Sequence, residues 1–268
     1  DQSSSQLSFQ TTEQNFITAE TSDTAPQKTI TKIAFGSCAH QDSDLPIFDV
    51  IVKHNPDLFI FLGDNIYGDT KDMKVLQSKY DQLAAKSSFQ HLKANTEIIA
   101  TWDDHDFGWN DAGRHYPFKA ESKEIFLDFF SEPKSSERRK HAGIYTSYIY
   151  EMNGKKLQII LLDNRTFRDD LQLYNGEFAH DKRYFYDLDY APQQQKDSAF
   201  LGNAQWIWLE NELKKPADLR LIGSGSQFDI EFNGYESWAN FPHEQKRFLD
   251  LIKKTQANGA TSRGRARN

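Results

Sequence analysis

From Ile30 onward the chain alternates short runs that are almost wholly apolar with longer runs whose apolar residues recur every three or four positions. ITKIAF (30–35), DLFIFL (57–62), EIIAT (97–101), KLQIILL (156–162) and LRLIG (219–223) predict β-strands, several of them covered on both faces. The stretches 45–54, 72–86, 117–130, 203–215 and 243–254 predict helices. Within 203–215, Trp206, Leu209 and Leu213 share one face, and within 243–254 Phe248, Leu249, Leu251 and Ile252 cluster. Alternation of this kind predicts an α/β layered fold with parallel pairing. Two stretches break the rhythm: 131–150, a basic knot followed by an aromatic strand-like run, and 171–200, polar and Tyr-rich. The second is too long for a simple connection and is expected to pack over a site as a lid or wall.

Polar clusters follow the predicted strands. FGSC comes after the first, GDNIY after the second, TWDDHDFGWND after the third and LDNRTFR after the fourth. Loops at the carboxyl edge of an open α/β sheet converge on one crevice, so these clusters are expected to face one another. TWDDHDFGWND brings four aspartates and a histidine together, and carboxylates so close need water, a proton or a metal ion to compensate them. Asp64 and Tyr67 offer hard oxygen donors, and Cys38 supplies the only thiol of the chain. A turn-capping role for Asp64 and an inert buried role for Cys38 are the alternatives. His105 lies between carboxylates that favour its cation, which suits it to protonate a leaving oxygen. Arg165 and Arg168 carry the fork geometry that recognises phosphate, and the same geometry makes salt bridges.

Composition narrows these readings. The 268 residues suffice for one large domain, placed at 30–256 between a polar arm (1–29) and a basic tail (257–268). A net charge of -7 gives no general attraction for nucleic acid or anionic membranes, and no sequence-specific nucleic-acid binding is expected. No apolar run approaches the roughly 20 residues of a transmembrane helix. The Ser/Thr/Gln-rich arm starts at Asp1 rather than Met; removal of a secretion signal accounts for this, as does a boundary set elsewhere, and a secreted or periplasmic location is the expectation. One cysteine excludes an internal disulfide.

Taken together in order and spacing, FGSC, GDNIY, TWDDHDFGWND, LDNRTFR, LGNAQWIWLENEL and SWANFPHEQKRFLDLI resemble the alkaline phosphatase D (PhoD-like) family of the metallophosphoesterase superfamily. The resemblance implies a four-layer αββα sandwich and hydrolysis of phosphate monoesters or diesters with Fe(3+) and Ca(2+). It implies Cys38, Asp64 and Tyr67 as iron ligands, Asp64 bridging to a second metal that Asp104 also holds, and His105 beside the phosphate. Arg165 matches a phosphate contact, and Asn110 and Asp111 match a motif lining the site, to which Arg168 is added as a substrate-binding candidate. The family continues after the last helix with an apolar strand and a Gly-Asp-x-His element. This chain instead reads TQANGATSRGRARN, with Arg263, Arg265 and Arg267, which is neither acidic nor strand-like. The expectation is therefore a sheet lacking its C-terminal strands, an exposed edge favouring self-association, and a metal site short of ligands with reduced activity. A non-catalytic metal- or phosphate-binding protein on the same scaffold is the alternative. A glycosidase carboxylate pair would leave Cys38, Tyr67 and the arginines without a role.

Overall fold

The computed structural model describes residues 29–175, 190–230, 234–257 and 260–264. Three strands, β1 (Ile33–Gly36), β2 (Leu58–Leu62) and β3 (Glu97–Thr101), pair in parallel in the order β1-β2-β3. A second sheet has the order β4-β5-β8-β9. In it β4 (Thr146–Met152) and β5 (Lys155–Leu161) form an antiparallel hairpin, while β8 (Leu219–Ser224) and β9 (Ala260–Gly264) continue in parallel. The hairpin turns at Asn153 and Gly154, whose φ values of 53° and 76° match the mirror-image turn that two-residue hairpins favour.

Strand alternation explains the layering. Leu58, Ile60 and Leu62 of β2 and Ile99 of β3 point one way and pack against Leu157, Ile159 and Leu161 of β5 and Tyr150 of β4, so the sheets meet face to face. Phe59 and Phe61 point the opposite way, onto α1 (Ile47–Lys53), α2 (Met73–Ala84), α3 (Ser87–Asn95) and α5 (Lys119–Phe129). On the far side, Ile160 and Ile222 meet Trp206 and Leu209 of α7 (Gly202–Leu213) and Phe248 and Leu251 of α8 (Pro242–Thr255). The order helices, sheet, sheet, helices is the expected four-layer αββα sandwich. The two sheets are tied at their carboxyl ends, where Thr101 Oγ1 donates to the Leu162 carbonyl at 2.7 Å.

All five predicted strands and five predicted helices form within a few residues of their expected bounds. α3 was not anticipated; the 72–86 pattern stops at Ala84 and a second helix begins at Ser87. The basic knot at 137–140 forms α6 (Glu137–Lys140). There Arg138 is buried, donating to the Ala100 carbonyl at 2.7 Å and to the Ile144 carbonyl. The tail reading needs correction, because 260–264 pairs beside β8 as β9. Backbone hydrogen bonding to a parallel neighbour does not require apolar side chains, and so the apolar pattern missed it. Among the described residues, the outermost strand on that side of the sheet is β9 rather than β8.

Candidate metal centre

The loops leaving β1, β2, β3 and β5 meet at the carboxyl ends of the strands. Cys38 N donates to the Gly63 carbonyl at 3.2 Å and Ala39 N to the Asp64 carbonyl at 2.9 Å, which locks the first two loops together. The Cys38 thiol lies 3.8 Å from Asp64 Oδ2. Cys38, Asp64 and Asp111 all have left-handed backbones, with φ values of 62°, 49° and 56°. A side chain in that region costs about 1–3 kcal/mol unless its surroundings impose it, and such strain gathers at functional sites. Gly63 turns the chain at φ 108°, and a Cβ there would fall 2.5 Å from the Asp103 Cβ. The loops after β2 and β3 can approach this closely only with glycine at 63.

Tyr67 is clamped by its neighbours. Its amide donates to Gln41 Oε1 at 2.7 Å, and its ring contacts those of His40 (centroids 4.6 Å apart) and His105 (4.5 Å). His105 sits in the short helix α4 (Asp104–Phe107), with Nδ1 2.6 Å from Asp69 Oδ1. A carboxylate on one ring nitrogen orients an imidazole and raises its basicity, as around ligating and proton-transferring histidines.

Asp104 is fully buried, and its Oδ2 accepts the Asp111 amide at 2.8 Å. Asn110 Nδ2 and the Tyr190 hydroxyl both donate to Asp111 Oδ2, at 2.8 and 2.7 Å. The Tyr190 phenol, pushed up by burial and by this bond, stays protonated and serves as the donor. Two groups of potential ligand atoms, each within 4.8 Å of one another, share Asp104: Asp64, Asp104 and His105, and Asp104, Asp111 and Glu236. Asp64 and Asp104 are both fully buried, and buried carboxylates this close favour a bound cation. The donor set, carboxylates with a phenol, an imidazole and one thiol, fits a hard metal ion.

Arg165 and Arg168 are buried beside the cluster. Arg165 bonds Asp103 Oδ1 through Nε at 2.7 Å and Glu236 Oε1 through Nη1 at 2.7 Å, and approaches Asp104 Oδ1 at 3.7 Å. Burial works against its cation, yet Asp103, Glu236 and Asp104 hold its pKa well above the ordinary value. Arg168 Nε lies 2.9 Å from Glu236 Oε1, and its Nη2 donates to the Asp111 carbonyl. A phosphate contact by Arg165 would thus have to share a guanidinium already engaged on both edges. Asp163 and Asn164 of the same motif build the turn: Asp163 Oδ1 accepts the amides of Arg165 and Thr166, both at 2.9 Å, and Asn164 Oδ1 accepts the Gly225 amide at 3.0 Å. Asp106 braces α4 from within, accepting the Asp103 amide at 2.7 Å and the Asn65 amide at 3.2 Å. Burial pushes its pKa up to about 7 although those amides favour the anion.

The nine candidate residues therefore converge, Cys38, Asp64, Tyr67, Asp104, His105, Asn110 and Asp111 around the acidic centre and Arg165 and Arg168 at its buried flank. Sequence reasoning missed Glu236, the shared partner of both arginines, and Asp69. Glu236 sits in an irregular loop with no motif, but two buried arginines demand a counter-charge, and that demand was the available signal. The expected lid falls partly outside the described residues, at 176–189. Its base does reach the centre, where Gln172–Leu173 (β6) pairs with Tyr190–Ala191 (β7) and Tyr190 contacts Asp111.

The family model for PhoD-like phosphatases matches residues 33–260. The chain belongs to this PhoD-like family. Among solved structures, one described as the structure of PhoD aligns with a TM-score of 0.67 at 18% identity, covering 90% of this chain and 52% of that one. The chain thus spans about half the length of that relative, and the likeness is one of fold. A dimetal phosphatase from Danio rerio aligns with a TM-score of 0.48 at 14% identity over 87% of this chain and 80% of its own. GAP50, described as the anchor in the inner membrane complex of Plasmodium, aligns at 0.46 and 12% identity over 85% and 64%. No curated protein matches. Among the described residues no helix is long and apolar enough to cross a membrane.

Proposed function

We propose that this PhoD-like chain is the catalytic scaffold of a metal-dependent phosphoesterase, acting on phosphate monoesters or diesters with iron and calcium. The observation that carries the reading is the convergence of Asp64, Asp104 and His105 within 4.8 Å at the strand ends of a PhoD-like fold. Cys38, Asp64 and Tyr67 would hold the iron, and Asp64 and Asp104 the second cation. When bound, such cations supply Lewis-acid polarisation of a phosphoryl oxygen and a nucleophile active near neutral pH. The protein's own share is positional. Asp69 holds His105 in an orientation from which its imidazole delivers a proton to the leaving oxygen, and Asn110 fixes the Asp111 carboxylate beside the reacting group. Arg165 and Arg168 keep Asp103 and Glu236 compensated, so the cluster stays compact, and offer positive potential to the phosphate. A secreted or periplasmic location is part of the same proposal.

The test is elemental analysis of the purified chain beside hydrolysis of bis(p-nitrophenyl) phosphate. Asp64→Asn is expected to lose bound metal and at least 100-fold of the activity, on the order of the about 3 kcal/mol that one electrostatic contact supplies in other enzymes. Unchanged hydrolysis by Asp64→Asn would overturn the assignment. A second reading, a metal- or phosphate-binding protein without turnover, is favoured by the engagement of both arginines with carboxylates; bound metal with no hydrolysis of any ester supports it.

A further inference from the structure

The turn from Arg165 to Arg168 has two sides. Arg165 and Arg168 point to the carboxylate network, whereas Thr166 and Phe167 line a separate cleft of about 660 Å³. Four cationic side chains border this cleft, Arg114, Lys119, Lys196 and Arg247, in a chain whose net charge is -7. Carboxylates offset part of this charge, Glu244 pairing with Arg247 and Asp169 with Arg114, whereas Lys119 and Lys196 have no carboxylate partner among the described residues. Glu244 is buried, with Oε2 accepting the Phe200 and Leu201 amides at 3.1 and 3.2 Å and the Trp206 indole N–H at 2.7 Å. Asp197 is the other acid.

The cations are held in place. Arg247 lies 4.4 Å over the Trp206 ring and bonds Glu244 Oε1 at 3.3 Å. Arg114 bonds Asp169 at 2.7 Å, and Lys119 Nζ donates to the Arg114 carbonyl at 2.6 Å. Gly202 and Asn203, which begin the twelve-residue helix α7, also face the cleft, and the N-cap residue Leu201 offers no capping side chain. The start of α7 is met by Glu244, whose Oε2 accepts the Leu201 amide, so the positive field at the cleft comes from the side chains. Small residues, Ala142, Ala199 and Gly202, line the cleft and leave room for a ligand.

We propose that this cleft binds a phosphorylated small molecule at a site separate from the carboxylate centre. Cations dispersed around the cleft, two of them lysines without a carboxylate partner among the described residues, suit an anion with several tetrahedral oxygens spread over more than one group, rather than a single planar carboxylate. The proposal stands independently of the reading of the metal centre. It is tested by titrating metal-free, extensively dialysed protein with sodium tripolyphosphate in a calorimeter at low salt. One saturable site is expected, weakened at least tenfold in the double variant Lys196→Gln/Arg247→Gln and severalfold in Lys196→Glu alone. The single variant changes an exposed side chain and so guards against loss of fold at Arg247. Asp104→Asn should bind as the unaltered chain does, and citrate should bind at least tenfold more weakly. Unchanged affinity in both lysine variants, an equal loss in Asp104→Asn, or equal binding of citrate would each overturn the proposal.

Discussion

At the scale of single residues, the structure is governed by buried charge. Arg165 and Arg168 share Glu236 Oε1, and the second oxygen of Glu236 is buried with no hydrogen-bond partner among the described residues. Removing one member of a buried ion pair leaves the others uncompensated, which costs far more than the pair itself contributes. Glu236→Ala is accordingly expected to destabilise the chain by about 3–5 kcal/mol in urea denaturation, and Glu236→Gln by less, because the amide oxygen still accepts one bond. Equal stability of Glu236→Ala and the parent would refute the role. Asp106 makes a prediction with pH. Its pKa is raised by burial from 3.8 to about 7, so the folded state holds a proton that the unfolded chain has released. The contribution is fully present below the unfolded value and lost as pH rises, in the window from about 4 to 7. The melting temperature of the parent relative to Asp106→Asn should fall across that window; a difference independent of pH would count against it.

At the scale of elements, each strand delivers chemistry where it ends, and the loops determine how closely those ends approach. Gly63 is the tightest such point, through both its positive φ and the Asp103 Cβ facing it. Gly63→Ala is expected to cost about 2 kcal/mol or more through backbone strain and overpacking. It should also push the β2 and β3 loops apart, so that metal binding weakens more than the melting temperature alone implies. A variant with parental metal affinity would show that the approach is not needed. How legible all this was in the sequence depends on the element. β2 and β5 were readable because they are buried on both faces, which leaves continuous apolar runs such as LFIFL. β9 was not, because its pairing with β8 rests on backbone bonds among Ala, Thr, Ser, Arg and Gly. The site divides likewise. Cys38, Asp64, Tyr67 and Asp104 could be found because they follow strands, while Glu236 and Asp69 lie in irregular segments and are recruited only by the charges that folding places beside them.

At the scale of the whole molecule, neither sheet has a complete core alone. The interior between them is shared by Leu58, Ile60 and Ile99 from one and Leu157, Ile159 and Leu161 from the other. Ile159→Ala should therefore cost about 2–5 kcal/mol. Unfolding should also remain a single transition, with tryptophan fluorescence, reporting on Trp102 in one outer core and Trp206 and Trp238 in the other, coincident with far-ultraviolet circular dichroism. Two separated transitions would show that the halves are independent. The shared interior also has a consequence for the order of events during synthesis. Residues 38 to 111 supply the acids, and their cationic partners Arg165 and Arg168, with Glu236 between them, arrive only later in the chain. A growing polypeptide released up to about residue 130 would carry a repelling acidic nest on a half-covered sheet. It would depend on dissolved cations, or on a chaperone shielding its bare face, until the second half closes over it.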